Sequence, residues 1–344
     1  MEFSLTDEQL SLQSMITQWC ASRGGTQQVR DRYQDKDHSL DPAWAELAGL
    51  GLAGLLVDPA CGGSGGSLLD ACIVAEALSA SLLTVPFVGS AVLGATAVEL
   101  FAPAGGRQEW LGEIADGRSV VSVVLDRDLK WPAVGREGVA WEWVPTADVA
   151  WMEDGQLVRS AGPKVVRTLD RDLTRTCAEV QLPGDAAGCA GKVSPQEALF
   201  LATGRVITAA SLVGTMAGAL RLATEHAKSR EQFGRPIGSF QAIQHMCAEM
   251  LVDVETSRTA TFGAAWAAAN LEPGEALQAA SVAKAWAASA SRRVCESAMQ
   301  VHGGMGYTWE CDVHLYLRSA QLCGAAFGDE MACLDSVAGF VFAG

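Results

Sequence analysis

The sequence is poor in the features that nucleic-acid, metal and disulfide-rich proteins need. It has 25 Lys and Arg against 40 Asp and Glu, which gives a formal net charge of -15. Because phosphate binding needs a concentrated basic surface, this charge argues against nucleic acid and anionic membranes as partners. The ten cysteines form no C-x-x-C pair and no cluster with His at ligand spacing, so we predict no metal site and no disulfide framework. We interpret them as reduced, mostly buried thiols.

The sequence also lacks the segments that direct a chain to membranes. No uncharged run of about 18 apolar residues is present, which predicts no membrane span. The first ten residues contain neither a basic region nor the apolar region of a secretory signal, so we expect a cytoplasmic protein. What remains is a chain of 344 residues, 49% hydrophobic and only 7% aromatic. This composition is typical of a globular, largely helical protein with two or three domains.

Residues 1–118 predict an N-terminal helical domain. Thr6 precedes two acidic residues and an apolar pattern at helical spacing, which is typical of a helix start. Four glycines between Gly62 and Gly66 then interrupt the chain before another helix, which passes through Glu76. Because these glycines do not follow a strand or open a βαβ unit, we interpret them as a loop and not as a dinucleotide-binding fingerprint.

Residues 119–193 predict a small middle β domain. Short runs rich in Val and Trp alternate with turn residues, a pattern that favours strands. The predicted strands are 120–124, 139–144, 156–158 and 164–166, and the last β structure should end near Pro183.

Residues 194–344 predict a C-terminal bundle of four antiparallel helices. Ser194 followed by Pro195 is typical of a helix start, and apolar residues recur at helical spacing from there onward. Breaks near 230–239, at 273–274 and at 303–304 divide this pattern into four helices. The fold class predicted from the whole chain is therefore mainly α with a small β domain.

Two motifs in the last region resemble those of a known family. Residues 230–241 read R-E-Q-F-G-R-P-I-G-S-F-Q, and residues 300–307 read Q-V-H-G-G-M-G-Y. They match the R-x-Q-F-G-x-x-I-x-x-F-Q and Q-x-x-G-G-x-G-[YF] patterns of the acyl-CoA dehydrogenase family. The order of helical domain, β domain and four-helix bundle is also that family's fold. The resemblance implies FAD as the cofactor and α,β-desaturation of an acyl-CoA as the reaction.

The resemblance implies six residues for cofactor binding. In the family, FAD lies across a dimer interface, so that the bundle of one subunit holds the pyrophosphate and adenine of the other subunit's FAD. An Arg fork suits pyrophosphate oxygens, Gln amides donate and accept, a Phe offers a stacking surface, and adjacent glycines let backbone N–H groups approach an anion. The residues are Arg230, Gln232, Phe233, Gln300, Gly303 and Gly304. Taken alone, each motif is also compatible with an ordinary helix turn or C-cap.

The resemblance also shows what is missing. The family removes an α-proton with a carboxylate while a hydride leaves to the flavin, so the base must lie beside the substrate's Cα. The usual base is a Glu in the loop after the last bundle helix, where this chain has Phe327. A minority of the family places the base on the first bundle helix before an Arg, where this chain has Gly204 before Arg205. Neither residue accepts a proton, so we predict no catalytic residue in this chain.

The middle domain departs from the family as well. The [TS]-E-P-x-x-G-S-D segment and the W-I-T-N-like strand, which contact the flavin ring, are absent between Ser119 and Gly184. This pattern resembles one subunit of the actinobacterial steroid-catabolic acyl-CoA dehydrogenases, α2β2 enzymes in which one subunit bears the base. The implied partners are a paralogous subunit with the base, a bulky acyl-CoA such as a steroid side-chain thioester, and electron-transfer flavoprotein or a similar acceptor.

Two alternatives stay open at this stage. In the first, a homo-oligomeric enzyme moves Asp329 or Glu330 into the place of the base. In the second, the chain is a flavin-free structural or regulatory paralogue.

Other ionisable residues favour structural roles. His226 and His245 lie on amphipathic helices, where we expect solvated or capped side chains, and His302 lies in the glycine loop, where it would orient backbone or phosphate. Glu310 and Arg318 are equally compatible with an ion pair and with a site.

Overall fold

The computed structural model describes residues 4–23, 25–35, 40, 42–169, 171–186 and 193–342. Its N-terminal helices are α1 (Asp7–Ala21), α2 (Thr26–Asp35), α3 (Pro42–Gly49), α4 (Leu68–Ala80), a π-helical turn (Phe87–Gly94), α5 (Ala95–Phe101) and α6 (Arg107–Ala115). The strands are β1 (Val121–Leu125), β2 (Gly135–Ala140), β3 (Asp148–Glu153), β4 (Gln156–Ala161), β5 (Lys164–Leu169) and β6 (Cys177–Ala186). The remaining elements are α7 (Pro195–Ser229), the short strands β7 (Glu231–Gln232) and β8 (Arg235–Pro236), α8 (Gln241–Asn270), α9 (Pro273–His302), α10 (Val313–Ala325) and α11 (Glu330–Phe342). This architecture confirms the predicted fold class.

Two predicted helix starts are confirmed in atomic detail. The Thr6 hydroxyl accepts a hydrogen bond from the Gln9 backbone N–H, and the Gln9 side chain accepts one from the Thr6 N–H. Ser194 and Glu197 make the same reciprocal pair at the start of α7, with Pro195 at the first helical position. Each pair satisfies backbone donors that a helix start leaves free, which stabilises a helix by about 1 kcal/mol.

The middle region is a single six-stranded sheet in the order β4-β3-β1-β2-β6-β5. All neighbours are antiparallel except β1 and β3, which are parallel. The predicted strand 139–144 is wrong after Ala140, because β2 ends there. Glu142 adopts a positive φ of 50°, and its carboxylate accepts a hydrogen bond from the Gly89 N–H. Strand β3 was not predicted, and β6 was predicted only by its end.

The C-terminal region is built around α7, which packs against α8, α9 and α10 as the predicted bundle requires. An additional helix, α11, was not predicted and packs against α9. Helix α7 is long and apolar enough to cross a bilayer by composition, but 78% of that stretch is buried inside the protein. It is therefore the central core helix of the bundle.

The bundle and the N-terminal helices are joined by a polar contact as well as by apolar packing. Helix α4 packs along α7, and Glu76 on α4 forms a bidentate ion pair with Arg258 on α8 at 2.8 to 3.2 Å. Both side chains are largely shielded from water, so the pair is screened less than an exposed one.

Candidate functional site

The first motif folds into a hairpin that displays an aromatic ring. Strands β7 and β8 pair with each other, and the two residues between them, Phe233 and Gly234, have φ values of 53° and 77°. Two successive positive φ values are the mark of a type I′ turn, which favours Asn or Gly and strains a bulky residue. Phe233 is nonetheless placed there and is 92% exposed. An apolar ring held in a strained turn and left in water indicates a surface that another molecule covers.

The second motif ends helix α9 and leaves its backbone accessible. Gly303 follows the helix with a φ of 62°, and an added Cβ at Gly303 or Gly304 would meet no atom within 4 Å. Gln300 is exposed on the last turn, and Tyr307 is 76% exposed. The Gly303 N–H donates to the Gln300 carbonyl oxygen and closes the helix, and the free space beside Gly303 and Gly304 leaves the backbone of this glycine loop open to an approaching ligand.

A pair of stacked histidines brings the two motifs together. The rings of His226, near the end of α7, and His302, at the end of α9, are 4.4 Å apart with planes 19° from parallel. Burial, His302 and Arg230 together lower the pKa of His226. The His302 Nδ1 lies 2.8 Å from the Ala298 carbonyl oxygen. His226 is thus not simply solvated as expected, and Arg230 is close enough to act on its charge.

The six predicted cofactor residues therefore lie at one end of the bundle, and their chemistry fits FAD. Arg230, Gln232, Phe233, Gln300, Gly303 and Gly304 are all exposed there. They offer one guanidinium, two amides, one aromatic face and a glycine loop with free space around it. A pyrophosphate and an adenine need this combination of cation, N–H donors and stacking surface. Their role in binding stays a prediction.

The two predicted base positions meet at one point in the structure. The ring of Phe327 lies directly on Gly204, so an added Cβ at Gly204 would be 2.7 Å from the ring Cγ and closer still to Cδ1. Phe327 is 1% exposed and Gly204 is buried. One phenyl ring thus fills the space at both positions.

Further aromatic rings extend this packing into the N-terminal and middle regions. The ring of Phe200 is 6.2 Å from that of Phe327 and 4.5 Å from that of Trp131. Phe101 is 5.5 Å from Trp131 and 5.9 Å from Phe200. These four residues, which we call the aromatic plug, are all buried. Sequence reasoning identified only Phe327, because the other three rings come from separate elements with no shared motif.

Phe327 is held in place through its backbone as well as its ring. Its N–H donates to the Leu129 carbonyl oxygen at 2.8 Å, and its carbonyl oxygen accepts from Arg205 Nε at 3.2 Å. Its φ of 60° is unfavourable for a bulky residue. Contacts from the loop after β1 and from α7 therefore hold Phe327 in a backbone conformation that is unfavourable for an isolated residue of its size.

Two buried cations lie behind Phe327 at the end of α10. Arg205 donates to the hydroxyls of Ser281 and Ser336, at 2.5 and 3.1 Å, and Lys284 donates to the Cys323 carbonyl oxygen. Burial lowers the pKa of Arg205 and lowers that of Lys284 to about 8. Neither cation forms an ion pair with Asp or Glu among the described residues. Both donate instead to carbonyls at the C-terminal end of α10, where the helix dipole favours positive charge.

The acidic residues next to Phe327 lie at the surface, whereas Phe327 itself is buried. Asp329 accepts a hydrogen bond from the Ala332 N–H at 2.9 Å and so caps helix α11, and both Asp329 and Glu330 are exposed. In the described part of the chain, Glu310 and Arg318 form no ion pair with each other. The pKa of Glu310 is lowered by its own backbone N–H and by the Thr308 hydroxyl. The hydrogen bonds of Asp329 and Glu310 are therefore local and structural.

A buried charged cluster joins the sheet to the N-terminal helices. Arg175 and Glu142 approach to 3.4 Å, and Asp172 accepts from the Thr174 N–H and hydroxyl at 2.9 and 2.7 Å. Burial raises the pKa of Glu142, and Arg175 opposes this shift. The cavity beside Arg175 and Glu142 has a volume of only about 20 Å³. That space is far too small for a flavin ring.

The other groups that could carry chemistry are scattered. A cavity of about 670 Å³ lies among α1, α4, α7 and α10, and none of the predicted site residues lines it. The described residues contain no group of three or more His, Cys, Asp or Glu that could hold a metal ion. Nine cysteines are described; all are free thiols and seven are buried.

Two protein family models match long stretches of the chain, and one of these stretches contains both sequence motifs. A family model for the acyl-CoA dehydrogenase C-terminal domain matches residues 196–339, and one for the acyl-CoA dehydrogenase N-terminal domain matches residues 6–118. The sheet lies between the two matched ranges.

Individual relatives come mainly from mycobacteria. The chain is 33% identical to acyl-CoA dehydrogenase FadE34 of Mycobacterium tuberculosis over its whole length, but it spans about half of that relative, 49%. It is 30% identical to acyl-CoA dehydrogenase IpdE2 of the same organism over 91% of each chain. Among solved structures, a variant of the Tcur3481-Tcur3483 steroid ACAD has a TM-score of 0.83 and 25% identity over 98% of each chain. The ChsE4-ChsE5 complex from M. tuberculosis has a TM-score of 0.81 and 24% identity over 99% of each chain.

Proposed function

Because the chain belongs to the acyl-CoA dehydrogenase family of FAD-dependent oxidoreductases, we propose that it is the subunit of a heteromeric acyl-CoA dehydrogenase that lacks the base. The observation that carries this proposal is the ring of Phe327 on Gly204. The substrate's Cα must lie beside the base, so a ring that fills both base positions leaves no carboxylate next to that carbon. The aromatic plug therefore leaves this subunit's own reaction centre without a proton acceptor.

The same chain keeps a surface that suits a cofactor held for another subunit. Bound FAD would supply the hydride acceptor, and this chain's residues would only bind and orient it. Arg230 would neutralise pyrophosphate charge, the glycine loop would donate backbone N–H groups, and Phe233 would cover an apolar face. We assign proton abstraction to the partner, because Phe327 occupies the base position in this chain. We assign completion of the cofactor site to this chain, because its hairpin is exposed.

The relatives support a heteromer and a bulky substrate. The solved relatives include a complex, ChsE4-ChsE5, and a protein described as a steroid ACAD. FadE34 is about twice as long as the stretch that matches this chain, which leaves room for a second unit of this size. We propose a paralogous subunit with the base as partner, a steroid side-chain or similarly bulky acyl-CoA as substrate, and electron-transfer flavoprotein or a similar acceptor. We place the assembly in the cytoplasm.

Purification of the chain with and without its paralogous partner tests the assembly. We expect the chain alone to bind FAD poorly or to aggregate, because its hairpin exposes Phe233 and its middle region lacks the two segments that contact the flavin ring in the family. The measurements are the ratio of FAD to protein by absorbance and the mass of the particle. A yellow, active homo-oligomer from this chain alone would support the relocated-base alternative. A flavin-free assembly with the partner present would support the structural paralogue.

The substitution Arg230→Ala tests the surface itself. Loss of a charge-assisted phosphate contact typically costs about 1.5–3 kcal/mol, so we expect FAD affinity of the assembly to fall roughly 10- to 150-fold. Arg221→Ala is the matched control, because Arg221 is an exposed Arg on the same helix, 3.4 Å from Glu225 and outside the motif. Equal FAD affinity in the two variants would show that the motif is only a helix turn.

A further inference from the structure

Helix α2 reaches across the molecule to the segment that follows the glycine loop. Arg30 donates to the Asp312 carboxylate from Nε at 3.2 Å and from Nη2 at 2.6 Å, and its Nη1 donates to the Trp309 carbonyl oxygen. Its guanidinium carbon also lies 5.0 Å from the centre of the Trp309 ring. Arg30 is mostly buried, with 11% of its side chain exposed. One side chain thus makes an ion pair, a backbone contact and a cation–π contact with a single loop.

Other residues of α2 reinforce the same contact. The Thr26 hydroxyl donates to the second Asp312 oxygen at 2.7 Å, and the Tyr33 ring is 5.5 Å from the Trp309 ring. On its other side Trp309 stacks on His314 at 5.4 Å. The segment from Trp309 to Asp312 is therefore held from α2 and from α10 at the same time.

This contact determines where the glycine loop lies. The loop begins at the end of α9, and the Thr308 N–H and hydroxyl both donate to the Met305 carbonyl oxygen at 3.0 and 2.8 Å. Its far end continues within four residues to Asp312, which α2 fixes. The glycine loop is therefore anchored to α9 at one end, where the Gly303 N–H donates to the Gln300 carbonyl oxygen, and to α2 at the other, through Trp309 and Asp312.

We propose that Arg30 is a positioning residue for FAD held by the glycine loop, so that the N-terminal helices determine how well this bundle binds the partner's cofactor. The inference rests on the proposed function. Arg30 does not touch the cofactor-binding residues; it acts through Trp309 and Asp312. A loop anchored at both ends keeps its backbone in one position toward a bound ligand, and freeing one end weakens binding without removing a residue that contacts the ligand.

The test compares Arg30→Ala with Arg23→Ala in the FAD-containing assembly purified through this chain. Arg23 is a matched control: it also lies in the N-terminal region, pairs with a carboxylate, Glu46, and covers a Trp ring, Trp19, at 4.9 Å. Both variants should lose similar thermal stability. We expect the FAD dissociation constant to rise about three- to tenfold in Arg30→Ala and not in Arg23→Ala. Arg30→Lys keeps the charge but loses the fork, so it should lie between wild type and Arg30→Ala.

The outcomes separate this inference from the proposed function. If Arg30→Ala and Arg23→Ala bind FAD equally well while Arg230→Ala loses it, the positioning role is wrong and the cofactor surface stands. If Arg230→Ala also keeps FAD, the proposed function itself fails. Where Arg30→Ala gives no soluble assembly, Arg30→Lys decides: an FAD dissociation constant equal to that of wild type overturns the proposal, and a rise supports it.

Discussion

Gly204 leaves the room that the ring of Phe327 occupies, so the two residues are complementary. The first is buried on α7 and the second lies in the loop after α10. A side chain at 204 and a ring at 327 exclude each other, because both need the same volume. A larger side chain at 204 therefore requires a smaller one at 327.

At this scale we predict that Gly204→Ala destabilises the protein. Its Cβ would overlap the Phe327 ring, and overpacking a buried site typically costs about 1–3 kcal/mol. Gly263→Ala on α8 is the matched control, since no atom lies within 4 Å of its Cβ and the exchange should stabilise the helix by roughly 0.5–1 kcal/mol. Urea denaturation measures both. Adding Phe327→Leu to Gly204→Ala should recover part of the loss; no recovery would mean that the clash lies elsewhere.

A second prediction concerns Phe327→Glu, which restores a carboxylate at the usual base position. We expect the amount of flavin reduced by substrate per assembly to stay unchanged, because a second centre also needs contacts to the flavin ring, and the segments that make them in the family are absent between Ser119 and Gly184. Phe327→Leu controls for the lost ring, and its turnover should match that of the glutamate variant. A doubling of reduced flavin in Phe327→Glu but not in Phe327→Leu would reveal a second working site. It would contradict the proposal that this chain has no working reaction centre of its own.

The residues that the sequence could predict are those in continuous motifs. Arg230, Gln232 and the glycine loop stand in short patterns, so the sequence alone assigns them to one surface. Phe200, Trp131 and Phe101 come from three separate elements, and only tertiary packing brings their rings to Phe327. Arg30 was missed for the same reason, since its partner Asp312 lies in a distant part of the chain.

Between elements, the end of α7 and the end of α9 meet through two histidine rings. His226 and His302 stack there, and burial, His302 and Arg230 all favour the neutral form of His226. The unfolded chain keeps the ordinary imidazole pKa of 6.5. Below that pH the unfolded state binds more protons than the folded state, so the lowered pKa removes stability as pH falls and leaves it intact at higher pH.

We therefore predict that the FAD-free protein loses stability as pH drops from about 6.5 through the lowered pKa of His226. His226→Gln should flatten this part of the profile. His245→Gln, at an exposed position on α8, should leave it unchanged. Urea midpoints measured between about pH 5 and pH 8 provide the comparison. Identical slopes in wild type and His226→Gln would show that the histidine stack does not titrate in this range.

Elements with strong local patterns were predicted well, and those set by tertiary contacts were not. Helices α1 and α7 begin at capping residues that can be recognised in the sequence. The strand predicted at 139–144 stops early because Glu142 turns to reach Gly89, a contact between the sheet and an N-terminal helix. Helix α11 was missed because the only break before it is the loop at Phe327. The family resemblance drew attention to that loop as the position of the base and not as a boundary between two helices.

In the whole molecule, the order of helices, sheet and bundle followed from composition changes along the chain, and the family match agrees with it. What the sequence could not supply was how the three regions join. Phe327 provides that junction: its N–H bonds to Leu129 beside the sheet, its carbonyl oxygen bonds to Arg205 on α7, and its ring packs through Phe200 toward Phe101.

This junction makes the regions cooperative in folding. The sheet cannot separate from the bundle without breaking the Phe327 hydrogen bonds and exposing four buried rings, each of which represents roughly 150–250 Å² of surface. We therefore expect local opening at that point to cost much of the free energy of global unfolding. A fragment cut at 118 or at 193 would separate residues of this junction from their partners. We expect Phe327, whose position corresponds to the family's usual base, to make the three regions unfold together.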